Sequence, residues 1–414
     1  MLRKTIIAVA SVVLLVCAGC ESHEQSRKVA KQRWDKTTAK MKLALAQQQV
    51  DTGDYEKAAA TIQQCLTADP ENSQAHLLYG KLLLAKGRCD EAIEQLNRAV
   101  ELDGEAAESW YWLGIAAEEN RDYQKAYEHY RKALWLEPLN VDYILAVAEM
   151  QVADNNYEAA MHLLTQKMLA IPREVSLKVA VADLMLRQNN IEEAIRLYEQ
   201  VVLLTDDRDI AESLGYCYML DERWDKAAEI FEKLASAYKG ATTLQKEREI
   251  QTQQEQKSKA LLQLLAICNM NAKQYGRAIS CYSKLAAEDR ESAQFWLHMG
   301  QAALGAGAAE KALMCGQKAL ALRPDYADAI VLVGCAHYAK GNYAAAIGSF
   351  EKIATDRETG GFSWFMRARC YEQLGEKSRA NHAYQKALQT KPHSELIAYL
   401  MDRELSFEDD ARYE

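Results

Sequence analysis

Strict alternation of apolar and polar residues, the mark of a half-buried strand, is rare in this chain. Ala, Leu, Glu, Gln and Lys are abundant, and all of them favour helices. Only five prolines interrupt the 414 residues. The pattern therefore predicts an almost wholly helical protein and argues against a β-rich fold.

Small residues recur along the chain with a fixed period. Gly80 and Gly114 are 34 residues apart, as are Gly300 and Gly334, and Gly215 fits the same frame. Alanine follows twelve residues after this glycine position, at Ala58, Ala92, Ala126, Ala160, Ala194, Ala227, Ala278, Ala312, Ala346 and Ala380. A chain of this length exceeds what one core normally organises, so the period indicates an array of repeats.

Other residues mark the ends of helices within each repeat. A left-handed turn after the first helix is predicted at Gly53, Gly87, Gly307, Gly341 and Gly375. Proline would end the second helix at Pro70, Pro138, Pro172, Pro324 and Pro392. The glycine at the eighth position of a repeat would let the first helix approach the second closely, where the Ala58-type residue is expected to lie.

These features resemble the tetratricopeptide repeat family, whose unit is a pair of antiparallel helices. One repeat carries Trp110, Leu113, Gly114, Tyr123, Ala126, Tyr130, Ala133, Leu134 and Pro138 at the family's positions. A later repeat carries Gly334, Tyr338, Gly341, Tyr343, Ala346 and Phe350. The resemblance implies an all-α fold, a right-handed superhelical solenoid of about ten helix-turn-helix repeats with a C-terminal capping helix.

The frame divides the chain into two runs of repeats. The repeats are expected to begin at Ala39, Ser73, Ala107, Val141, Val175, Arg208, Lys259, Ala293, Ala327 and Gly361. Repeats 1–6 occupy residues 39–241, and repeats 7–10 occupy residues 259–394. Residues 242–258 are rich in helix formers but have almost no apolar stripe, which predicts a polar helical insertion or linker. It is either a tolerated surface insertion or a partner-binding arm.

The first residues resemble the signal peptide of a bacterial lipoprotein. A short basic stretch precedes an apolar run from Ile6 to Val16, and Cys17-Ala-Gly-Cys20 follows. The resemblance implies that residues 1–19 are removed and that Cys20 becomes the lipidated N-terminus. Cys17 stands where the family usually has leucine, and an uncleaved signal anchor is the alternative interpretation.

Both ends of the repeat array carry charged segments. Residues 20–38 form a predicted basic helix beside the lipidated residue, and it either meets anionic lipid or is simply solvated. Residues 395–414 are expected to form an amphipathic capping helix and an acidic tail.

Composition argues against several classes of function. The formal charge of −9 repels phosphates, so a nucleic-acid partner is not expected. Cys217, Cys268 and Cys370 share the tenth position of their repeats, where alanine is usual, and are interpreted as core residues. Cys335 and His337 point in different directions on a helix, which argues against a shared metal. No catalytic motif is present, so we expect no enzyme activity, metal, cofactor or small-molecule substrate.

In the tetratricopeptide family, first-helix side chains line a concave groove that binds other proteins. Carried onto this chain, the groove residues are Leu43, Leu77, Lys81, Tyr111, Ile115, Leu145, Glu149, Val179, Asp183, Glu212, Tyr216, Ile267, Leu297, Gln301, Val331, Tyr338, Phe365 and Arg369. The set is apolar and aromatic with scattered charges, which suits an amphipathic helix or an extended segment. Burial of several members by the coil itself is the alternative.

These features predict a membrane-anchored protein-binding scaffold or adaptor for envelope assembly, such as a pilus, secretion, polysaccharide export or outer-membrane system. The alternative is a substrate-recognition or regulatory subunit of a separate enzyme. We expect a lipid-anchored protein on the periplasmic side of the envelope. Glu21 replaces the aspartate of the usual inner-membrane retention signal, which favours the outer membrane.

Overall fold

The computed structural model describes residues 2–239, 248–355 and 359–389. Within these ranges the chain forms twenty α-helices and no strand, which confirms the all-α repeat fold. The chain divides into two compact units, residues 1–188 and residues 189–414. The predicted capping helix and acidic tail lie outside the described residues.

The first compact unit contains nine helices. They are α1 (Leu2–Asp51), α2 (Tyr55–Ala68), α3 (Ser73–Ala85), α4 (Cys89–Leu102), α5 (Ala107–Glu119), α6 (Tyr123–Leu136), α7 (Val141–Ala153), α8 (Tyr157–Ala170) and α9 (Val175–Arg187).

The described residues of the second compact unit contain eleven helices. They are α10 (Ile191–Val202), α11 (Arg208–Leu220), α12 (Trp224–Lys239), α13 (Arg248–Asn271), α14 (Tyr275–Glu288), α15 (Ala293–Gly305), α16 (Ala309–Leu322), α17 (Ala327–Ala339), α18 (Tyr343–Glu351), α19 (Gly360–Gln373) and α20 (Lys377–Gln389).

The third repeat illustrates how sequence sets the helix ends. Helix α6 begins after Asp122, whose carboxylate accepts a hydrogen bond from the backbone N–H of Lys125 at 3.3 Å and so caps an unsatisfied donor. The helix ends at Leu136, two residues before Pro138. Helices α2, α8 and α16 also end two residues before a proline. The predicted role of proline is confirmed at these four sites.

A left-handed residue follows the first helix in every repeat. The predicted glycines all have positive φ, between 70° and 79°. The same position in the other five repeats is filled by Arg121, Asn155, Asn189, Glu222 and Lys273, with φ between 55° and 61°. The ten positive-φ residues share one register, so the turn geometry repeats even where glycine does not.

The predicted close approach at the eighth-position glycine is confirmed, but its contact differs from the prediction. A Cβ on Gly114 would lie 2.5 Å from ring carbons of Tyr130, and one on Gly334 would lie 2.6 Å from Phe350. The crowding side chain is therefore the large residue one turn after the alanine. That alanine is itself fully buried, at Ala126 and Ala346.

The apolar core runs through each compact unit as a series of small clusters, as expected for stacked helix pairs. In the first unit, Ile62 packs with Leu78 and Leu82 of the following repeat. In the second unit, Phe350 packs with Phe362 and Met366. Each cluster joins neighbouring repeats, because a single helix pair cannot bury its apolar side alone.

Two helices extend beyond the repeat frame. Helix α1 runs continuously from Leu2 to Asp51, so residues 20–38 and the first helix of repeat 1 share one element. Helix α13 begins at Arg248 and runs into repeat 7, so the later part of the predicted insertion is helical. The structure gives no description of residues 240–247. In the described part of the chain, no helix meets the length and apolarity needed to cross a membrane.

Candidate protein-binding surface

Three of the predicted groove residues are buried and expose little surface to a partner. Leu77, Leu297 and Val331 are 8%, 2% and 4% exposed. Each occupies the fifth position of its repeat and packs against the first helix of the next repeat, as Leu77 does with Leu113 and Leu297 with Leu332. Burial of several groove members was the alternative interpretation, and these three follow it, because the fifth position faces the neighbouring repeat as much as the groove.

The other predicted residues keep accessible surface. The exposed ones are Glu149, Asp183, Tyr216 and Ile267. The half-buried ones are Leu43, Lys81, Tyr111, Ile115, Leu145, Val179, Glu212, Gln301, Tyr338, Phe365 and Arg369. Whether they bind a partner stays a prediction.

In the first compact unit, helices α1, α3 and α5 line one depression of about 510 Å³. Its walls are Lys40, Leu43, Ala44, Gln47, Ser73, Gln74, Leu77, Leu78, Lys81, Asp103, Ala106, Glu108 and Ser109. Lys81 forms an ion pair with Glu108 and lies 5.0 Å from the centroid of the Trp112 ring. The lining thus combines apolar and polar side chains. It also brings together predicted residues from two neighbouring repeats.

The predicted groove set does not include the second position of each repeat. Lys40, Gln74 and Glu108 all occupy it, and all three line the depression. Recurrence of a long polar residue at this position could have identified it, because the second and fifth positions lie on one face of a helix.

Further along the same unit, the predicted residue Tyr111 forms a cluster with two other tyrosines. Its ring centroid lies 4.9 Å from that of Tyr143 and 5.6 Å from that of Tyr130. The hydroxyl of Tyr130 donates a hydrogen bond to Glu118 at 2.7 Å. Burial and this hydrogen bond raise the pKa of Tyr130 far above its usual range, and burial together with nearby carboxylates raises the pKa of Tyr143 to about 12.

In the second compact unit, the predicted residue Glu212 on α11 contacts a lysine of α13. Lys257 lies 2.6 Å from a carboxylate oxygen of Asp209 and 3.4 Å from one of Glu212. The nitrogen also lies 5.6 Å from the centroid of the Tyr238 ring. Lys257, in the predicted insertion, therefore contacts α11 and α12, and Glu212 is engaged in this ion pair.

Other predicted residues of the second compact unit are held by local contacts. The Tyr216 ring lies 5.7 Å from Phe231, the Tyr338 ring 5.5 Å from Tyr343 and the Phe365 ring 5.9 Å from Tyr384. The Oε1 atom of Gln301 accepts a hydrogen bond from Nδ1 of His298 at 3.0 Å, and Arg369 pairs with Glu372 at 3.5 Å. These contacts restrain the side chains of the predicted residues.

The cysteines from Cys65 to Cys370 lie within the described residues and carry thiols rather than disulfides. Seven of them are buried, including the three at the tenth position, which confirms their interpretation as core residues. Burial raises the pKa of Cys268 and of Cys370 to about 12. Across the described ranges, no three potential ligand side chains form a metal-binding cluster.

Comparison with known proteins agrees with this geometry. A family profile described as tetratricopeptide repeat matches residues 43–106, 80–142, 180–242 and 270–327, and a second profile of the same description matches residues 361–394. Together they cover more than half of the chain. The chain belongs to the tetratricopeptide repeat family. Its repeats therefore constitute a protein–protein interaction scaffold, a fold that is typically not catalytic.

Individual relatives match only parts of this tetratricopeptide repeat protein. BBSome complex member BBS4 of Bos taurus is 35% identical over 21% of the chain, which spans 17% of that relative. A probable biofilm formation methyltransferase, WspC of Pseudomonas putida, is 32% identical over 22% of the chain, which spans 21% of that relative. The chain thus covers only about a fifth of the length of either relative.

Among solved structures, pilF of Pseudomonas aeruginosa is similar over 50% of this chain and 95% of its own, at 17% identity and a TM-score of 0.44.

Proposed function

We propose that this tetratricopeptide repeat protein is a lipid-anchored scaffold that assembles other proteins in the bacterial cell envelope. The observation that carries the proposal is the accessible row of apolar and aromatic first-helix residues, of which Tyr111, Ile115 and Leu145 are half-buried members. Apolar and aromatic side chains contribute most to the free energy of binding when a partner completes their burial. A protein partner therefore fits this surface better than a small molecule.

The N-terminal region supports the anchor. Its sequence ends an apolar run in Cys17-Ala-Gly-Cys20, the pattern of a lipidation site. Beyond it, residues 26–34 of α1 are exposed throughout, and Trp34 is 72% exposed. A helix with exposed lysines, arginines and a tryptophan suits the headgroup region of an anionic membrane, beside acyl chains on Cys20.

The placement is proposed on the same basis. A lipidated Cys20 followed by Glu21 favours the periplasmic face of the outer membrane. A role in building a pilus, a secretion system, a polysaccharide exporter or the outer membrane itself would bring protein partners to that face.

The anchor is tested by replacing Cys20 with serine in the native organism. The parent chain should incorporate labelled palmitate and sediment with outer membranes, whereas Cys20→Ser should remain unlabelled and keep its signal peptide. Palmitate labelling that survives this substitution, or a parent chain that fractionates with soluble proteins, would contradict the anchor.

The scaffold is tested with a photocrosslinking amino acid placed on the first-helix surface. Positions 115 and 145 should each crosslink the same envelope protein in cells. The matched control is position 158, which is exposed on the second helix α8 and should not crosslink it. Equal crosslinking from both faces, or none from the first helices, would count against the proposed surface.

A further inference from the structure

One part of the first-helix surface carries several negatively charged side chains. The Tyr111 surface is defined here as Tyr111, Ile115 and Glu118 on α5 with Asp142, Leu145 and Glu149 on α7. Tyr143 is buried at 5% exposure and Tyr130 at 2%, and their rings pack against Tyr111. The Tyr111 ring is therefore held in place before any partner arrives.

Carboxylates surround this ring. Burial raises the pKa of the Tyr111 hydroxyl, and the negative charges of Asp142, Glu149 and Glu118 raise it further. Burial and the charge of Glu118 likewise raise the pKa of the Glu149 carboxyl. The three carboxylates therefore act on the Tyr111 hydroxyl, and Glu118 also acts on Glu149.

Among the described residues, these carboxylates have no ion-pair partner. Elsewhere on the first helices, Glu108 pairs with Lys81 and Glu212 pairs with Lys257. No described lysine, arginine or histidine forms an ion pair with Glu118, Asp142 or Glu149. The surface is thus preorganised for a positive charge that the described part of the chain does not supply.

We infer that the Tyr111 surface binds a partner segment in which a lysine or arginine is flanked by apolar residues. The cation would lie against the Tyr111 ring between Asp142 and Glu149, while the apolar neighbours cover Ile115 and Leu145. A cation over an aromatic ring is attracted by the negative face of the ring, and the carboxylates add attraction in a region of reduced dielectric. This inference rests on the proposed scaffold function and names the chemistry of its partner.

The probes are three synthetic fluorescent peptides of equal length, rich in Leu and Lys, in Leu and Glu, or in Gly and Lys. Binding to the full chain in detergent is followed by anisotropy at moderate salt. The Leu–Lys peptide should bind, the Leu–Glu peptide should not, and the Gly–Lys peptide should bind about tenfold more weakly because it lacks apolar contacts.

Variants locate the binding. Asp142→Asn with Glu149→Gln should weaken the Leu–Lys peptide about tenfold. The control, Glu128→Gln with Glu158→Gln, removes the same charge from exposed positions of α6 and α8 and should change the Kd less than about twofold. Tyr111→Leu should weaken binding about fivefold, whereas Tyr111→Phe, which keeps the ring, should bind like the parent.

Three results would overturn the inference. Equal losses in both charge variants would show unspecific attraction to a negative protein. Equal affinity for Leu–Lys and Gly–Lys peptides would show a bare cation site, suited to a polyamine rather than a protein segment. If the Leu–Lys peptide did not bind, the inference of a basic partner would be wrong. Crosslinking from positions 115 and 145 would still support the scaffold.

Discussion

Gly114 and Tyr130 are packed so closely that a single added methyl group on the glycine would overlap the tyrosine ring, 2.5 Å from its carbons. The ring cannot move aside easily, because its hydroxyl is bonded to Glu118 and its face packs against Tyr111. The glycine thus sets the distance between α5 and α6 and, through Tyr130, the position of the Tyr111 ring.

The first prediction concerns this contact. Gly114→Ala should lower the free energy of unfolding by about 1–2 kcal/mol, because overpacking outweighs the gain of about 1 kcal/mol in helix propensity. The matched control is Gly348→Ala in α18, where an added Cβ meets nothing within 4 Å. That variant should gain stability. Urea denaturation of both variants measures the difference, and a stable Gly114→Ala would contradict the packing argument.

The second prediction concerns the left-handed turns. Arg121 and Glu222 are exposed and have φ of 61° and 55°. A non-glycine residue in this conformation lowers the free energy of unfolding by about 1–2 kcal/mol. Glycine removes this strain, but its greater entropy in the unfolded chain lowers stability by about 0.5–1 kcal/mol. Arg121→Gly and Glu222→Gly should therefore each gain up to about 1 kcal/mol.

The opposite exchange serves as the control for these turns. Gly341 has φ of 74°, so Gly341→Ala should lose about 1 kcal/mol. Thermal unfolding followed by circular dichroism compares the three variants. A loss of stability on Arg121→Gly and Glu222→Gly would refute the strain argument.

The third prediction concerns pH. The folded state raises the pKa of Glu149, so it holds that proton more tightly than the unfolded chain does. The raised pKa therefore makes the fold relatively more stable at low pH, and this contribution is lost as pH rises through the folded pKa. Glu149→Gln should gain stability at neutral pH, by no more than about 0.5 kcal/mol because the side chain is exposed.

The measurement is the difference in unfolding free energy between parent and Glu149→Gln at several pH values. The difference should shrink as pH falls from neutral towards 5. A difference that grows with acidity would mean that the folded state lowers the pKa of this carboxyl.

The fourth prediction concerns thiol reactivity. Only a thiolate reacts readily, and Cys268 and Cys370 are buried with pKa near 12. Among the cysteines from Cys65 to Cys370, the partly exposed Cys89 should react first with a maleimide in the native protein. Mass spectrometry of digested samples identifies the modified residue. Early labelling of Cys370 would show that its repeat opens readily.

The periodic parts of the fold could be predicted from the sequence, because glycine favours left-handed turns, small residues permit close helix packing and proline ends helices. Gly341 at a turn and Pro138 after a helix are examples. The turn at Arg121 could not be predicted in the same way, since arginine has no preference for left-handed backbone. There the neighbouring helices impose the conformation.

The candidate surface was harder to predict, because burial depends on the neighbouring repeat as well as on the position. Leu77 and Leu43 hold the same fifth position, yet Leu77 is buried and Leu43 is not. Glu118 and Asp142, whose charges act on Tyr111, belong to two helices from different repeats. A single-repeat pattern contains no signal for such a pairing.

The distribution of the left-handed turns has a mechanical consequence. Repeats 1, 2, 8, 9 and 10 place glycine at this point, whereas repeats 3 to 7 place Arg, Asn, Asn, Glu and Lys there. In a chain of nearest-neighbour units, the run with costlier turns should open first. Among the described residues, amide protons of repeats 3 to 7 would then exchange earlier than those of repeats 1, 2, 8, 9 and 10, and a pulling force would open repeats 3 to 7 first.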